Sequence, residues 1–327
     1  MSTFWEAVRD RLRKDERVGV VLVVNHSVHS PGTTGSRMAI FADGSTVGTI
    51  GGGVMELDIV RSAPEIFFAA EQAPTLRKLY HRKEGEGQKS GLICSGFQTN
   101  LYATLGRAEH ADLLDALVKA GREDRSAVLE IRPTGIALLD LPAGGPPIQH
   151  DLVYSGYTWV YRESAMNLSR IAILGGGHCG LALSRLMHRL GYHVSIFDSR
   201  PRVPTMLEND FTDEKHIVDD LVDAASMIRL PEHTNVVVMT TELSSDVRAL
   251  LGAAGRTFPF VGVMGSRAKI AAMRKALLAE GVAAEWIDNL AAPVGLPIGS
   301  NTPDEIAVSV AGQLLQRRTK LWKSSRN

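Results

Sequence analysis

The sequence predicts an α/β protein in two parts: an N-terminal mixed α/β domain followed by a C-terminal Rossmann-like domain built on a parallel sheet. Three observations carry this expectation. In the first half, apolar stretches are joined by tight polar turns, as antiparallel strands require. From Arg170 onward, continuous apolar runs alternate with helix-like segments, the pattern of a parallel sheet covered on both faces. A glycine-rich turn lies directly between the first of those runs and the helix after it. The expected boundaries are 1–150 for the first domain, 151–168 for a linker and 169–327 for the second domain. The junction is placed there because residues 141–169 are rich in Pro, Gly and Tyr and lack a clear period.

Taken in order, the chain opens on an amphipathic helix with Trp5, Val8 and Leu12 on one face. The β-branched run VGVVLVVNHSVHS reads as a strand. MAIFADGSTVGTI reads as a hairpin, because Asp43-Gly44 tolerates the positive φ of a tight turn. VMELDIVRSAPEIFFAAEQ continues as a helix interrupted by proline. Two strands around a charged loop follow within residues 76–105, then the helix AEHADLLDALVKAG and the strands SAVLEIRP and GIALLDL. In the second half, RIAIL, YHVSIFD, TNVVVM and FPFVGV read as parallel strands. Near the end, Thr302, Pro303 and Glu305 form the N-cap, first position and capping-box partner of a last helix.

Composition bounds the function. Lys plus Arg total 36 and Asp plus Glu total 36, so no global field recruits nucleic acid or a membrane surface. No apolar run reaches the roughly 18 residues that span a bilayer, and the charged N-terminus is unlike a signal peptide. Two cysteines, Cys94 and Cys179, make neither a disulfide framework nor a zinc set. A reduced, cytoplasmic protein is expected.

The triple glycine of IAILGGGHCGLALSRL supplies Gly175, Gly177 and Gly180 at the spacing of a dinucleotide-binding turn. The first glycine allows the tight turn, the second admits a pyrophosphate, and the third lets helix pack on strand. The helix N-terminus then offers its amides to an anion. Asp198, 18 residues past Gly180, stands where a ribose-binding carboxylate belongs and favours NAD or another adenine nucleotide. Arg200 and Arg202 follow it and could accept a 2′-phosphate instead. His178 is open to two roles, donating to a phosphate or capping the helix. Gly265, Ser266 and Arg267, at a later strand-to-helix turn with Lys269 nearby, are a second anion candidate.

The earlier triple glycine, Gly51, Gly52 and Gly53, has Glu56 where the pattern needs a glycine. A carboxylate there suits the helix dipole but repels a phosphate, so a second Rossmann turn is not expected. Further segments stand beside it: Ser30-Pro31, Gly35-Ser36-Arg37-Met38, Gly48-Thr49-Ile50-Gly51-Gly52-Gly53 with Glu56, and ICSGFQTNLY around Cys94. In the second half stand Gly175 to Asp198, VGVMGSRAKI and PVGLPIGSNTPDEIAVSV. Together these segments resemble the XdhC/CoxI family, the accessory proteins of bacterial xanthine and carbon monoxide dehydrogenases; roughly residues 106–168 are unmatched. Ser95 replaces a glycine of the family pattern, and Thr241 and Glu242 stand where the family often places a histidine.

The resemblance implies a maturation chaperone more than a turnover enzyme. Such a factor binds the molybdenum cofactor (molybdopterin), protects it and delivers it to a xanthine dehydrogenase-like molybdenum hydroxylase. A sulfurating enzyme is a second expected partner, and a homodimer is left open. Under that reading Gly51 to Gly53 bring bare backbone to a flat ligand, Arg37 meets the phosphate with paired donors, and Cys94 offers a soft sulfur for molybdenum. The rival is an NAD-dependent oxidoreductase, and a sulfurtransferase acting through Cys94 is a weaker third reading.

Overall fold

The computed structural model describes residues 2–69, 72–80, 96–141 and 149–324. The chain divides into two compact units, Met1–Asn167 and Leu168–Asn327.

The first unit runs α1 (Ser2–Leu12), β1 (Arg17–His26), β2 (Arg37–Ile40), β3 (Thr46–Thr49), α2 (Gly53–Arg61) and a π-helical turn at Pro64–Phe68. It continues with β4 (Thr75–Tyr80), β5 (Phe97–Gly106), α3 (Arg107–Arg122), β6 (Ala127–Arg132), β7 (Gly135–Asp140), β8 (His150–Ser155) and β9 (Thr158–Ser164). One antiparallel sheet has the order β3-β2-β1-β5-β4 and a second the order β7-β6-β9-β8. β1 lies at the centre of the first sheet and is covered on both faces, which is why its sequence is apolar without alternation. Val18, Val20, Leu22 and Val24 join Trp5, Val8, Leu12, Leu114 and Ile131 in one core. Val21 and Val23 face Met55, Ile59 and Phe67 in another. Each such side chain stabilises the fold by about 1.5–3 kcal/mol on burial. The hairpin turn forms as its residues dictate: Gly44 has φ +78°, and Asp43 accepts from the Ser45 amide at 2.9 Å and from its hydroxyl at 2.6 Å.

The linker expected at 151–168 is instead a hairpin. β8 and β9 pair antiparallel from His150↔Glu163 to Ser155↔Thr158, and β9 pairs with β6, so this stretch completes the first unit's second sheet. Alternation in DLVYSGYTWVYRES supports two strands around Gly156, whose φ is +59°. The Pro/Gly-rich run before it obscured that pattern. The division falls between Asn167 and Leu168.

The second unit is a doubly wound α/β domain. Its elements are β10 (Arg170–Leu174), α4 (His178–Arg189), β11 (His193–Asp198), α5 (Pro204–Leu207), β12 (Glu214–Ile217) and α6 (Leu221–Met227). They continue with β13 (Thr234–Val238), α7 (Leu243–Ala254), β14 (Phe260–Val263), α8 (Arg267–Ala279), α9 (Ala284–Asp288) and α10 (Pro303–Ser324). All five strands are parallel, in the order β12-β11-β10-β13-β14. Chain order reverses between β10 and β13, so the crevice at their C-terminal ends is where such folds bind ligands. α4 and α10 cover one face of the sheet, and α6, α7 and α8 the other. The capping box of α10 is formed: the Glu305 amide donates to Thr302 Oγ1 at 3.3 Å, and the Thr302 amide to Glu305 Oε2 at 3.0 Å. Among the described residues no helix is long and apolar enough to cross a membrane.

Candidate functional site

The second triple glycine is built for close approach. At Gly175 φ is +128°, and a Cβ there would stand 2.5 Å from the Met239 carbonyl oxygen. At Gly180 a Cβ would stand 2.1 Å from the Gly175 carbonyl oxygen, so helix and strand touch through backbone. Gly177 differs. It is the N-cap of α4, no side chain caps the helix, and a Cβ there would meet nothing within 4 Å. The Gly175 amide donates to the Phe197 carbonyl at 2.8 Å, and the Gly176 amide to Asp198 Oδ2 at 2.7 Å. The first-turn amides of α4 therefore face open space at the positive end of a 12-residue helix. His178, in that first turn, is exposed.

Asp198 is buried at the end of β11, where a ribose carboxylate was expected, but its acceptor sites are filled. Oδ1 takes the Arg200 amide and Nε, each at 2.9 Å; Oδ2 takes the Gly176 amide at 2.7 Å and Arg200 Nη2 at 2.8 Å. A carboxylate offers about four such sites. Burial alone would raise this carboxyl's pKa, but the hydrogen bonds from Arg200 and Gly176 outweigh it and hold the group below the ordinary aspartate range. A ribose hydroxyl can bind here only if Arg200 leaves.

Of the second anion candidate, Ser266 caps α8 itself, its Oγ accepting from the Lys269 amide at 3.2 Å. Arg267 is exposed. The residue that enters the crevice is Lys269, because helical side chains lean toward the N-terminus of their helix. Its ammonium forms an ion pair with Asp246 Oδ2 and lies 3.5 Å from the Thr240 carbonyl oxygen. Asp246 is fully buried, and its Oδ1 accepts from Thr240 Oγ1 at 2.5 Å and from the Thr240 amide at 3.3 Å. In the sequence Lys269 stands only beside the second anion candidate, and nothing in the spacing links it to Asp246. Only the apposition of two helices after neighbouring strands makes them one.

The first triple glycine carries its own anion. Glu56 Oε1 accepts from the Ile50 amide at 2.7 Å, the Gly52 amide at 2.8 Å and Thr49 Oγ1 at 2.6 Å. Partial burial pushes the Glu56 pKa up, and these hydrogen bonds more than offset it, so the carboxylate is held below the ordinary range. Gly51, Gly52 and Gly53 all have φ between +74° and +125°. The loop is strapped to its neighbours by buried Gln98. That side chain accepts from Ser30 Oγ at 3.0 Å and the Gly32 amide at 3.3 Å, and donates to the Ile50 carbonyl at 3.2 Å. A Cβ at Gly51 would stand 2.7 Å from the Gly32 amide nitrogen. The motif segments around Ser30, Gly51 and Gln98 thus converge.

Arg37 does not join them. Its Nη1 pairs with Glu163 Oε1 at 3.1 Å, and its guanidinium lies over the rings of Phe4 and Trp5. Glu163 is almost wholly buried and also accepts from Trp5 Nε1 at 3.1 Å and Tyr161 Oη at 2.9 Å. Burial drives the Glu163 pKa up, while the Arg37 charge and these donors pull it lower still, leaving it below the usual range. Removing Arg37 to serve a phosphate would strand a buried charge, a loss of about 3–5 kcal/mol. A pterin phosphate here would compete with Glu163 for Arg37 and with Glu56 for the Ile50 and Gly52 amides, so the first loop fits a second anion poorly. Cys94 and Ser95 lie outside the described residues. Gly96, two residues on, is held against Ser27, whose Oγ would stand 2.2 Å from a Cβ there.

Against known families, residues 11–78 match the XdhC and CoxI family and residues 171–314 match the XdhC Rossmann domain. The chain belongs to the XdhC and CoxI family. Among solved structures, this XdhC/CoxI protein is similar to a chain described as a xanthine dehydrogenase from Bacillus halodurans. The TM-score is 0.71 at 22% identity, over 97% of this chain and 96% of that one, a likeness of fold. It is also 25% identical over 322 residues to the uncharacterized protein YqeB of Escherichia coli (strain K12). That match covers 97% of this chain and 46% of YqeB, so the chain spans about half the length of that relative.

Proposed function

We propose that this chain is an accessory factor to a xanthine dehydrogenase-type molybdenum hydroxylase. In this reading the Rossmann domain seats the phosphate of its ligand, the molybdenum cofactor or an adenine nucleotide, on the N-terminus of α4. One observation carries it: Gly177 leaves open space in front of an uncapped helix, while every other glycine of that turn is packed against backbone or side chain. Family membership supports the accessory role. Bound, the molybdenum cofactor supplies oxygen-transfer chemistry to the hydroxylase; the chain's part is to hold the phosphate and shield the ligand until transfer. Cys94 is proposed as the sulfur that serves the cofactor.

The test is Gly177→Val. Its φ of −74° suits any L-residue, so the variant folds, but the branched side chain fills the anion's place. Wild type purified from a host that makes molybdenum cofactor is expected to retain pterin, and the variant to lose most of it at an unchanged melting temperature. Equal amounts of bound pterin and adenine nucleotide in both proteins, or neither ligand in wild type, sinks the reading. Cys94→Ala tests the thiol alone: retained pterin together with undiminished activation of the hydroxylase would make Cys94 a packing residue.

A further inference from the structure

A chain of buried polar groups in the first unit takes no part in the proposed function. Tyr161 Oη donates to Glu163 Oε2 at 2.9 Å, and His150 Nδ1 lies 3.1 Å from the same hydroxyl oxygen. Tyr161 is fully buried and Glu163 nearly so. Burial first, and then the Glu163 charge, push the phenol's pKa well above its ordinary value, so Tyr161 keeps its proton directed at the carboxylate. Only an oxygen lone pair then remains for His150, which makes Nδ1 the ring nitrogen that carries hydrogen. Nε2 is the bare one. It faces the turn before β2: a Cβ at Gly35, where φ is +91°, would stand 2.6 Å from it. The Gly35 carbonyl there is already taken by Arg37 Nε at 3.2 Å, and no acceptor for an Nε2 proton is found among the described residues.

The groups that face the ring decide what a second proton does. From β9 they are Tyr161 and Glu163, and from β2 Arg37, which already pairs with Glu163 at 3.1 Å. β1, also packed on β8, carries titratable groups only at its ends, Arg17 and His26, and His26 is engaged by Thr34 at 2.9 Å. On its own strand the next residue, Asp151, points to the other face of the sheet. We propose that His150 is an acid-released latch: neutral, it clips the start of β8 to the Gly35 turn, and protonated at Nε2 by solvent it leaves that seat and bares the turn. The turn runs into β2, where Arg37 pairs across to Thr49 beside the first glycine loop, so the opening reaches that loop's border. Burial lowers the His150 pKa most; the Glu163 charge pulls it back up and the Arg37 charge down again, leaving it below the ordinary value. The latch therefore holds fully above the ordinary histidine value near ~6.5 and is lost as pH falls from there through the folded-state value.

The experiment is hydrogen exchange on the full chain between about pH 7.5 and about pH 5.5, with each rate corrected for the intrinsic pH dependence of exchange. Opening of the amides of β8 and of the Gly35 turn, relative to β13 in the second unit, is expected to rise about 5–10-fold over that interval, the effect of one linked proton. His150→Gln keeps a donor for Tyr161 and cannot titrate; its opening should stay level. Wild type that stays level overturns the proposal. So does a rise that survives in His150→Gln, which would belong to another group, His26 first. Should the variant not fold, the imidazole of wild type decides by NMR titration. A His150 resonance that titrates at or above ~6.5 removes the latch, and one that titrates below it together with the exchange profile upholds it.

Discussion

The chain contains the tripeptide Gly-Gly-Gly before a helix twice, and the two copies do opposite things with the same electrostatics. Three residues after the last glycine of the first copy stands Glu56, whose carboxylate collects the Ile50 and Gly52 amides. Three residues after Gly177 stands Gly180, which brings α4 against the strand and leaves the helix's first amides uncapped. The first loop's amides are closed by a carboxylate of its own chain; the second turn leaves its helix uncapped, with open space in front of Gly177. A triple glycine is thus no measure of ligand binding until the acceptors within one helical turn are counted.

The largest effect that would test this contrast is Gly180→Ala. A methyl group 2.1 Å from a backbone oxygen cannot be relieved by a rotamer change, so α4 must move off β10. A loss of about 3 kcal/mol is expected in urea unfolding. A loss below about 1 kcal/mol would mean that helix and strand are not in the contact described.

Next is Glu56→Ala, which leaves the Ile50 and Gly52 amides and the Thr49 hydroxyl without their acceptor. It is expected to cost about 2 kcal/mol of stability. Because folding lowers the Glu56 pKa, its contribution is present in full above the ordinary glutamate range near ~4.3 and is lost as pH falls through the lowered folded-state value. Wild type and Glu56→Ala should therefore converge in stability on acidification. Curves that stay parallel would assign the loss to something other than this carboxylate.

Smaller again is Gly52→Ala. Space is available, since a Cβ would meet nothing within 4 Å, but φ is +75°. The expected penalty is about 1.5 kcal/mol, because φ +75° with ψ −169° is backbone essentially confined to glycine. A larger loss in the melt would mean that the loop packs more tightly than its geometry says.

Much of this contrast was legible before the structure. Position 56 broke the dinucleotide pattern on the page, and the strand–turn–helix around Gly175 was complete there. What sequence could not carry was the destination of side chains between elements. Arg37 reads as a phosphate ligand until the fold sets it against Glu163, 126 residues away. Lys269 and Asp246 are unremarkable in their own helices and acquire meaning only where α7 and α8 meet. Short elements were lost for a different reason. β12 reads Glu-Lys-His-Ile, an edge strand with charged residues in place of an apolar run, and the β8–β9 hairpin follows a Pro/Gly-rich stretch that masked its alternation.

The smallest stability effect, and the sharpest reading of the open site, belongs to Arg200→Ala. The guanidinium is about half exposed, with 49% of its side-chain surface accessible. Without it the Gly176 and Arg200 amides still donate to buried Asp198 while water reaches the two vacated sites, so its removal should cost about 1 kcal/mol in urea unfolding. Its effect on recognition is larger. Three of the four acceptor sites on Asp198 are held by Arg200 through its amide, Nε and Nη2. In wild type a ribose hydroxyl therefore has no acceptor there, and AMP and 2′-deoxy-AMP should bind alike. Without the guanidinium, one site on each oxygen opens beside the glycine turn. Discrimination of about 10-fold in favour of the ribose should appear in titration calorimetry, the scale of a hydrogen bond to a charged acceptor. If wild type already prefers AMP to its deoxy analogue, Arg200 swings away on binding, and the carboxylate serves the ribose after all. If neither protein discriminates, the ribose does not reach Asp198, and the ligand enters the crevice by its phosphates alone.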